Sequence, residues 1–515
     1  MRRATLLLVA AVTAAATLLY ATRLGYSPAY LMHDEMQFAL QSISVATSGR
    51  DLSGRLLPIF FTEPAFPAGR DPGVIYLTAA ALTGLPISEA SVRLPVALLG
   101  VLNVVLMFLL ARRLFGSDWM ALVAAGLIAL TPLHFIRSRL LLSPQTSIPI
   151  ILAWLLCLVA FSERATLRRL ATAAALLALG VYTYLACVVM MPIYWLMTAW
   201  VGSKKLGRRA VMTAAVAFAV PLVPMAIWYA THPERMAQVV GAYELGGDVA
   251  ATGVTAGAGL VSVRKAISLY WSFFSPEYLF VLGDPSLINS TRFTGLFPLS
   301  FALLIPFGAW RLATRRRDLD LVILAGLITA PVAAVASGAI EMNRVMFVIP
   351  FGALVAVYGV EWLLTAGTRA GAVVALVLVA AVPLQFAVFY SDYMGRYRVA
   401  AGPAFGGNTR ELFMTAITKA GTNGAPPVYV HSAILYSDRY WRFYSLSQAR
   451  PDAIDRLQTY APPHLPSPAP AGALLACPLA DPECAALMPG TQGWLPIHVV
   501  SELDGTKSFA LFEAR

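Results

Sequence analysis

The chain has 515 residues, of which 58% are hydrophobic and only 13% charged. That balance excludes a soluble globular protein of this size. A net charge of +11 would suit a nucleic-acid binder, but the lysines and arginines gather at the ends of apolar runs. That placement sets membrane topology instead and excludes nucleic acid as a partner.

The first apolar run, 4–20, follows Arg2 and Arg3. It has the outline of a signal peptide, but no small-x-small cleavage site precedes residue 34 and more spans follow. It is read as an uncleaved anchor. A long loop, 22–91, comes next. Further runs of membrane-spanning length cover 92–114, 119–135, 142–161, 170–183, 187–201, 210–230, 293–312, 319–337, 345–364 and 370–389. The fold class is therefore an α-helical polytopic membrane protein of about eleven spans, with room for up to thirteen.

Orientation checks that count. With the start of the chain inside, every dense basic cluster falls on the inner side: Arg112-Arg113, Arg164 with Arg168-Arg169, Lys204-Lys205 with Arg208-Arg209, Arg315-Arg316-Arg317, and Arg369. Merging 170–201 into one span would put the later clusters outside. The 22–91 loop, a second loop at 231–292 and everything after about 390 then lie outside.

Within the first loop, Asp34 is followed by Met36, Ala39, Leu40 and Ile43. This is helical spacing and predicts a short amphipathic helix at the membrane surface. A second apolar segment, 72–85, is too short to span and is read as interfacial. After 390 the composition turns polar and proline-rich, with strand-like runs at 427–431, 473–477, 497–503 and 507–512. The Asp504-Gly505 turn joins the last two as a hairpin. The domains predicted are a transmembrane part, 1–390, and a small α/β extracytoplasmic part, 391–515. Cys157 and Cys187 sit in apolar spans as packing residues. Cys477 and Cys484 can form a disulfide if their region is outside the cytoplasm.

The chemistry-bearing stretch is Tyr30-Leu31-Met32-His33-Asp34-Glu35. A carboxylate at a membrane surface can take the proton of an attacking hydroxyl. The plainer reading makes Asp34 the N-cap of its helix, with Gln37 completing the cap. The density of ionisable groups in the loop (His33, Glu63, Arg70, Asp71) favours catalysis by Asp34. Glu35, one residue on, points elsewhere on a helix and is assigned a supporting role at the catalytic site. The outward ends of the spans carry Arg93, Arg137 and Arg139 beside His134, Arg292 and Arg344. Arginine there runs against the positive-inside bias. As a group these residues suit a lipid phosphate, although singly each can snorkel or pair with a nearby acid. No His-x-x-x-His, Cys-x-x-Cys or phosphate-cradling glycine loop occurs, so no metal or cofactor is expected.

These stretches resemble the GT-C glycosyltransferases. The resemblance is carried by Asp34-Glu35, by Asp71-Pro72-Gly73-Val74-Ile75-Tyr76, by Val92-Arg93-Leu94-Pro95, and by Thr131-Pro132-Leu133-His134-Phe135 with Ser138-Arg139. The branch it resembles is that of the protein O-mannosyltransferases and aminoarabinose–lipid A transferases. The resemblance implies an integral membrane enzyme taking a sugar from a polyprenyl-phosphate donor on the outer face of a bacterial inner membrane. It implies Asp34 as the base and Arg93 as a structural or site-ordering group. The acceptor it implies is a lipid, a glycan or a protein. The Glu-Lys-Pro-Pro segment of some relatives is replaced here by Arg70-Asp71-Pro72-Gly73, with Glu63 upstream. Two rival readings stand beside this one. A transporter or flippase would show inverted repeats and mid-membrane charges. A polyprenyl-dependent polymerase or ligase would lack the Asp34-Glu35 loop.

Overall fold

In this computed structural model the described residues are 3–515 apart from 64–65, 235–254, 339–341, 422–424, 463–464 and 467; for 63–69 and 255–262 only the backbone is considered. In chain order the helices begin with α1 (Arg3–Ala21), α2 (His33–Ser48), α3 (Pro72–Leu82), α4 (Glu89–Phe115), α5 (Asp118–Ala129) and α6 (Pro132–Arg137). Then come α7 (Ser147–Glu163), α8 (Leu167–Gly180), α9 (Cys187–Ala219), α10 (Val223–Thr231) and α11 (Thr255–Ser272). They continue with α12 (Phe301–Arg315), α13 (Asp318–Thr329), α14 (Val332–Ala336), α15 (Val348–Thr365), α16 (Arg369–Met394) and α17 (Arg396–Ala400). The last are α18 (Thr409–Lys419), α19 (Ser437–Ser447) and α20 (Pro482–Ala486). The strands are β1 (Phe61–Glu63), β2 (Phe66–Arg70), β3 (Val428–His431), β4 (Leu457–Tyr460), β5 (Leu474–Pro478), β6 (Trp494–Ser501) and β7 (Lys507–Ala514).

The chain divides into two units. The first comprises Met1–Thr22, Ser53–Leu77 and Leu94–Ser391. Among the described residues, seven helical stretches are long and apolar enough to cross a membrane. One of them, Cys187–Thr231, is 45 residues long but is not one rod. Gly207 sits at φ 63° and ψ −151°, a conformation open essentially only to glycine. Trp195 Nε1 donates to the Ala214 carbonyl at 3.1 Å, whereas nineteen residues of straight helix would separate them by about 28 Å. The stretch is thus a helical hairpin, as the two expected spans 187–201 and 210–230 require. The expected span 119–135 is interrupted at Thr131-Pro132, where α5 ends and α6 begins. The close crossing of α12 and α15 depends on having no side chain at the contact: a Cβ on Gly308 would overlap the Val355 carbonyl, and one on Gly359 the Leu304 carbonyl.

The basic clusters of different spans meet at one end of this unit. Arg113 faces Glu163 at 3.9 Å, and Lys205 donates to the Ser162 carbonyl at 2.8 Å. Lys204 pairs with Asp318 at 2.7 Å, and Arg315 reaches Asp320 at 3.4 Å and Glu361 at 3.2 Å. These contacts place Arg113, Lys204, Lys205 and Arg315 at one end of the unit.

The second unit comprises Arg23–Leu52, Thr78–Arg93 and Asp392–Arg515, which differs from a self-standing 391–515 segment. Its five-stranded sheet has the order β4-β3-β5-β7-β6. Strands β4, β3 and β5 run parallel, and β5, β7 and β6 antiparallel. The predicted hairpin is β6–β7, closed by Gly505 at φ 88° with the Asp504 carboxylate accepting from the Thr506 N–H at 2.9 Å. Strand β4 was not anticipated: Leu457-Gln458-Thr459-Tyr460 is an edge strand with two exposed positions, so it lacks an apolar run. Cys477 and Cys484 are joined as a disulfide in the core beneath this sheet. Helix α2 packs against α19. Its apolar stripe Met36, Ala39, Leu40, Ile43 is buried, but so are Glu35, Gln37, Gln41 and Ser42. It is therefore enclosed around much of its circumference, unlike a helix resting one face on a membrane.

Candidate active site

The first turn of α2 is built around an arginine distant in sequence. Met32 is extended (φ −76°, ψ 163°) and is the N-cap; its N–H donates to Glu35 Oε2 at 3.2 Å. Asp34 is therefore not the cap, and Gln37 does not complete one. Glu35 closes the turn and is itself held by Arg93 through a two-point fork, Nε to Oε1 at 2.8 Å and Nη2 to Oε2 at 2.7 Å. The remaining Arg93 donors go to the carbonyls of Leu24 (3.2 Å), Pro28 (2.9 Å) and Tyr30 (2.7 Å). All five guanidinium N–H groups are used, and both charged side chains are fully buried. Residues 24–35 are thus fastened by one side chain. Arg93 orders this segment. The geometry does not support the phosphate contact expected of Arg93, because its side chain is fully buried; Glu35, buried with it, can act only through its neighbours.

Asp34 has the opposite fate. Its side chain is 34% exposed, with Oδ1 3.8 Å from Nε2 of His33, which is 41% exposed. It occupies the first turn of α2, where the helix dipole favours a carboxylate. The His33 ring stacks on Tyr436 with centroids 4.7 Å apart and planes 11° from parallel. Nearby in the same unit Glu89 is buried, accepting from the Tyr444 hydroxyl at 2.8 Å and Arg410 at 2.9 Å.

The other expected site residues lie in the first unit, where most are engaged. Arg70 ends β2 opposite Phe61. Asp71 follows, half-buried. Burial pushes its carboxyl up to about 7, while the Ser143 hydroxyl, the Leu185 N–H and the Arg70 charge pull the other way. Glu63 closes β1, and its side chain lies outside the described residues. His134 is buried with both ring nitrogens bonded, Nδ1 to the Tyr20 hydroxyl at 2.8 Å and Nε2 to Asn103 Nδ2 at 3.1 Å. Tyr20 in turn donates to the Ala129 carbonyl at 2.8 Å, which leaves Nδ1 as the protonated nitrogen. Arg139 is buried and donates to the carbonyls of Tyr20 (3.0 Å) and Thr22 (2.8 Å), a cation on the end of α1. His134 and Arg139 thus secure α1 and are not presented to a phosphate. Arg137, also buried, donates to Asn289 at 2.8 Å, and Asn289 reaches Asp284 at 3.3 Å. Arg292 is exposed in a left-handed conformation (φ 56°) and donates to the Pro285 carbonyl. Arg344 is half-buried in the turn Met342–Val345.

Sequence reasoning missed Tyr436, Tyr440 and Glu502 of the second unit. The Tyr30 hydroxyl donates to Glu502 at 3.3 Å and Tyr440 to the Leu31 carbonyl at 3.0 Å. Nothing in the local sequence marks Glu502, which stands just before a hairpin turn some 470 residues from its partner. Among the described residues, the one grouping with metal-ligand chemistry is His431, Asp481 and Cys484. The Cys484 sulfur is already bonded to Cys477.

Residues 70–228 match the family described as dolichyl-phosphate-mannose-protein mannosyltransferase. The structure of ArnT from Cupriavidus metallidurans bound to undecaprenyl phosphate superimposes with a TM-score of 0.58 at 15% identity, covering 98% of this chain and 97% of that one. The chain has the GT-C glycosyltransferase fold. A second GT-C structure, the Archaeoglobus fulgidus oligosaccharyltransferase in complex with Zn and sulfate, matches with a TM-score of 0.51 at 14% identity, over 97% of this chain and 73% of that one. Among curated proteins none matches this GT-C chain in sequence. The family match begins at Arg70 and takes in Asp71, Arg93, His134, Arg137 and Arg139, and it leaves out Asp34 and Glu35.

Proposed function

We propose that this GT-C protein is an inverting glycosyltransferase that uses a polyprenyl-phosphate-linked sugar, with Asp34 as the general base, on the outer face of a bacterial inner membrane. The acceptor oxygen bonds to the anomeric carbon as its proton passes to Asp34. The bond from that carbon to the phosphate oxygen breaks, polyprenyl phosphate leaves, and the configuration inverts. The leaving phosphate's charge can be met by arginine alone, so the proposal includes no metal or cofactor. Arg70, Arg292 and Arg344, the expected arginines that are not fully buried, are the proposed phosphate cations.

The observation that carries this reading is the unequal fate of Asp34 and Glu35. One carboxylate is buried and neutralised, which fixes the turn; its neighbour is 34% exposed beside His33. Two further points support the lipid donor. The Cupriavidus metallidurans ArnT was captured with undecaprenyl phosphate. The first unit also holds an apolar cavity of about 330 Å³, walled by Pro132, Phe293, Phe297, Leu299 and Phe386, suited to isoprenoid carbons.

The test is turnover of a short-chain donor in detergent, followed as release of the lipid phosphate. Asp34→Asn should lose roughly 10²–10⁴-fold in rate with thermal stability near wild type. A second reading rests on Asp71, whose carboxyl titrates near neutrality as a general base should. Near-normal turnover in Asp34→Asn, with loss in Asp71→Asn, would transfer the role to Asp71.

A further inference from the structure

The second unit contains a cavity of about 430 Å³ that the reaction as described does not use. His33 and Tyr436 stand on one side and Thr409 and Glu502 on another, with Ile434 and Phe509 among the apolar walls. His33 is the residue next to Asp34. Its only titratable lining besides the tyrosines is His33 and Glu502; no lysine or arginine is among the lining residues. Glu502 is pinned, one oxygen accepting from the Asn408 N–H at 2.9 Å and the other from Tyr30 at 3.3 Å. Tyr436 is held in a left-handed conformation (φ 57°) with 41% of the residue exposed, the kind of backbone strain that gathers at binding sites.

We propose that this cavity binds the acceptor, and that the acceptor is a neutral sugar ring. The inference rests on Asp34 being the base, since it seats the nucleophilic hydroxyl beside that residue. A mostly apolar wall with a few convergent polar groups is what a small ligand site requires. A pyranose offers apolar C–H faces to Ile434 and Phe509 and to the Tyr436 ring, which is itself stacked on His33 at 4.7 Å and lies 4.9 Å from the Arg439 guanidinium, and hydroxyls to Glu502 and Thr409. A phosphorylated or carboxylated acceptor would set its anion against Glu502; Arg439, over the Tyr436 ring, is not among the lining residues. An extended peptide would be expected at an unpaired strand edge. The open edges of this sheet are β4 and β6, and neither strand lines the cavity.

The experiment is saturation-transfer NMR on the full chain in detergent, with methyl α-mannopyranoside, methyl β-glucopyranoside and methyl β-galactopyranoside as neutral probes. Mannose 6-phosphate and a capped Ala-Ser-Ala peptide are the competitors. At least one neutral glycoside should bind with a Kd of about 1–10 mM and outcompete both. Tyr436→Asn removes the ring but tolerates the left-handed backbone, and should weaken binding up to about tenfold. Glu502→Gln should narrow the preference for the neutral sugar over its phosphate. Asp34→Asn should bind the glycoside as wild type does, so loss of turnover and loss of this site are separable. Preference for the phosphate or the peptide would overturn the proposal. So would absence of binding by every neutral probe, or unchanged binding in a folded Tyr436→Asn.

Discussion

A single side chain, Arg93, holds four separate points of the segment that carries Asp34. Buried ion pairs contribute little net stability relative to apolar replacements, but breaking one partner is costly. Glu35→Gln leaves the Arg93 charge uncompensated and should cost about 3–5 kcal/mol. Arg93→Lys keeps the charge but cannot reproduce a planar fork with five donors, and should be comparably harmful. The double replacement Glu35→Met with Arg93→Met should cost less than the sum of the single changes, since the two act as a unit. Denaturant midpoints in detergent would check this; additive losses would show that the pair is not coupled. The adjacent Asp-Glu pair is visible in the sequence, as is the oddity of an outward arginine. Their division of labour is not, because Glu35 and Arg93 are 58 residues apart and no periodicity links them. The same blindness affected His134 and Arg139, which look like site residues by type and prove to be internal fastenings of α1.

Helices were legible where the apolar run was long. Most expected spans fall on helices because bilayer-length hydrophobic stretches have few other ways to satisfy their backbone, whereas 293–312 becomes helical only at Phe301. What the runs concealed was the break at Pro132 between α5 and α6; the break at Gly207 falls between two spans read as separate. The Gly207 turn yields a prediction at this scale. Gly207→Val would force a β-branched residue into a region nearly closed to it and should cost about 1–3 kcal/mol, while Gly202→Ala faces Leu170 and Ala210 and tests packing alone. Equal thermal stability of Gly207→Val and wild type would argue against a tight hairpin. In the second unit the interior strands β3 and β5 were read from their buried apolar runs. The polar edge strand β4 offered no such run.

For the molecule as a whole, charge and connectivity carry different information. Arg113, Lys204 and Arg315 meet acids of neighbouring spans and Lys205 meets the Ser162 carbonyl, so clusters far apart in sequence share one end of the first unit. A cysteine replacing Arg208, beside that end, should resist an impermeant thiol reagent in sealed cells and react once the membrane is opened. A cysteine replacing the exposed Arg292 should react in both. Labelling of the Arg208 position in sealed cells would invert the topology. Connectivity was less legible, because the second unit takes two pieces of the first loop and 124 residues from the other end of the sequence. Composition alone could not reveal that Arg23–Leu52 belongs with a sheet that begins some 400 residues later.

Strand β7 lies between β5 and β6 in the sheet although every other strand precedes it in the chain. A nascent chain therefore cannot complete this sheet until residues 507–514 have left the ribosome. Glu502, which bonds both Tyr30 and the Asn408 backbone, also emerges only with this last hairpin. The residues around Asp34 are made early, while the strand that completes their unit is made late. Membrane insertion can proceed through hundreds of residues before the candidate base has its full surroundings. The surroundings of Asp34 are thus completed only after the spans up to residue 391 have been made.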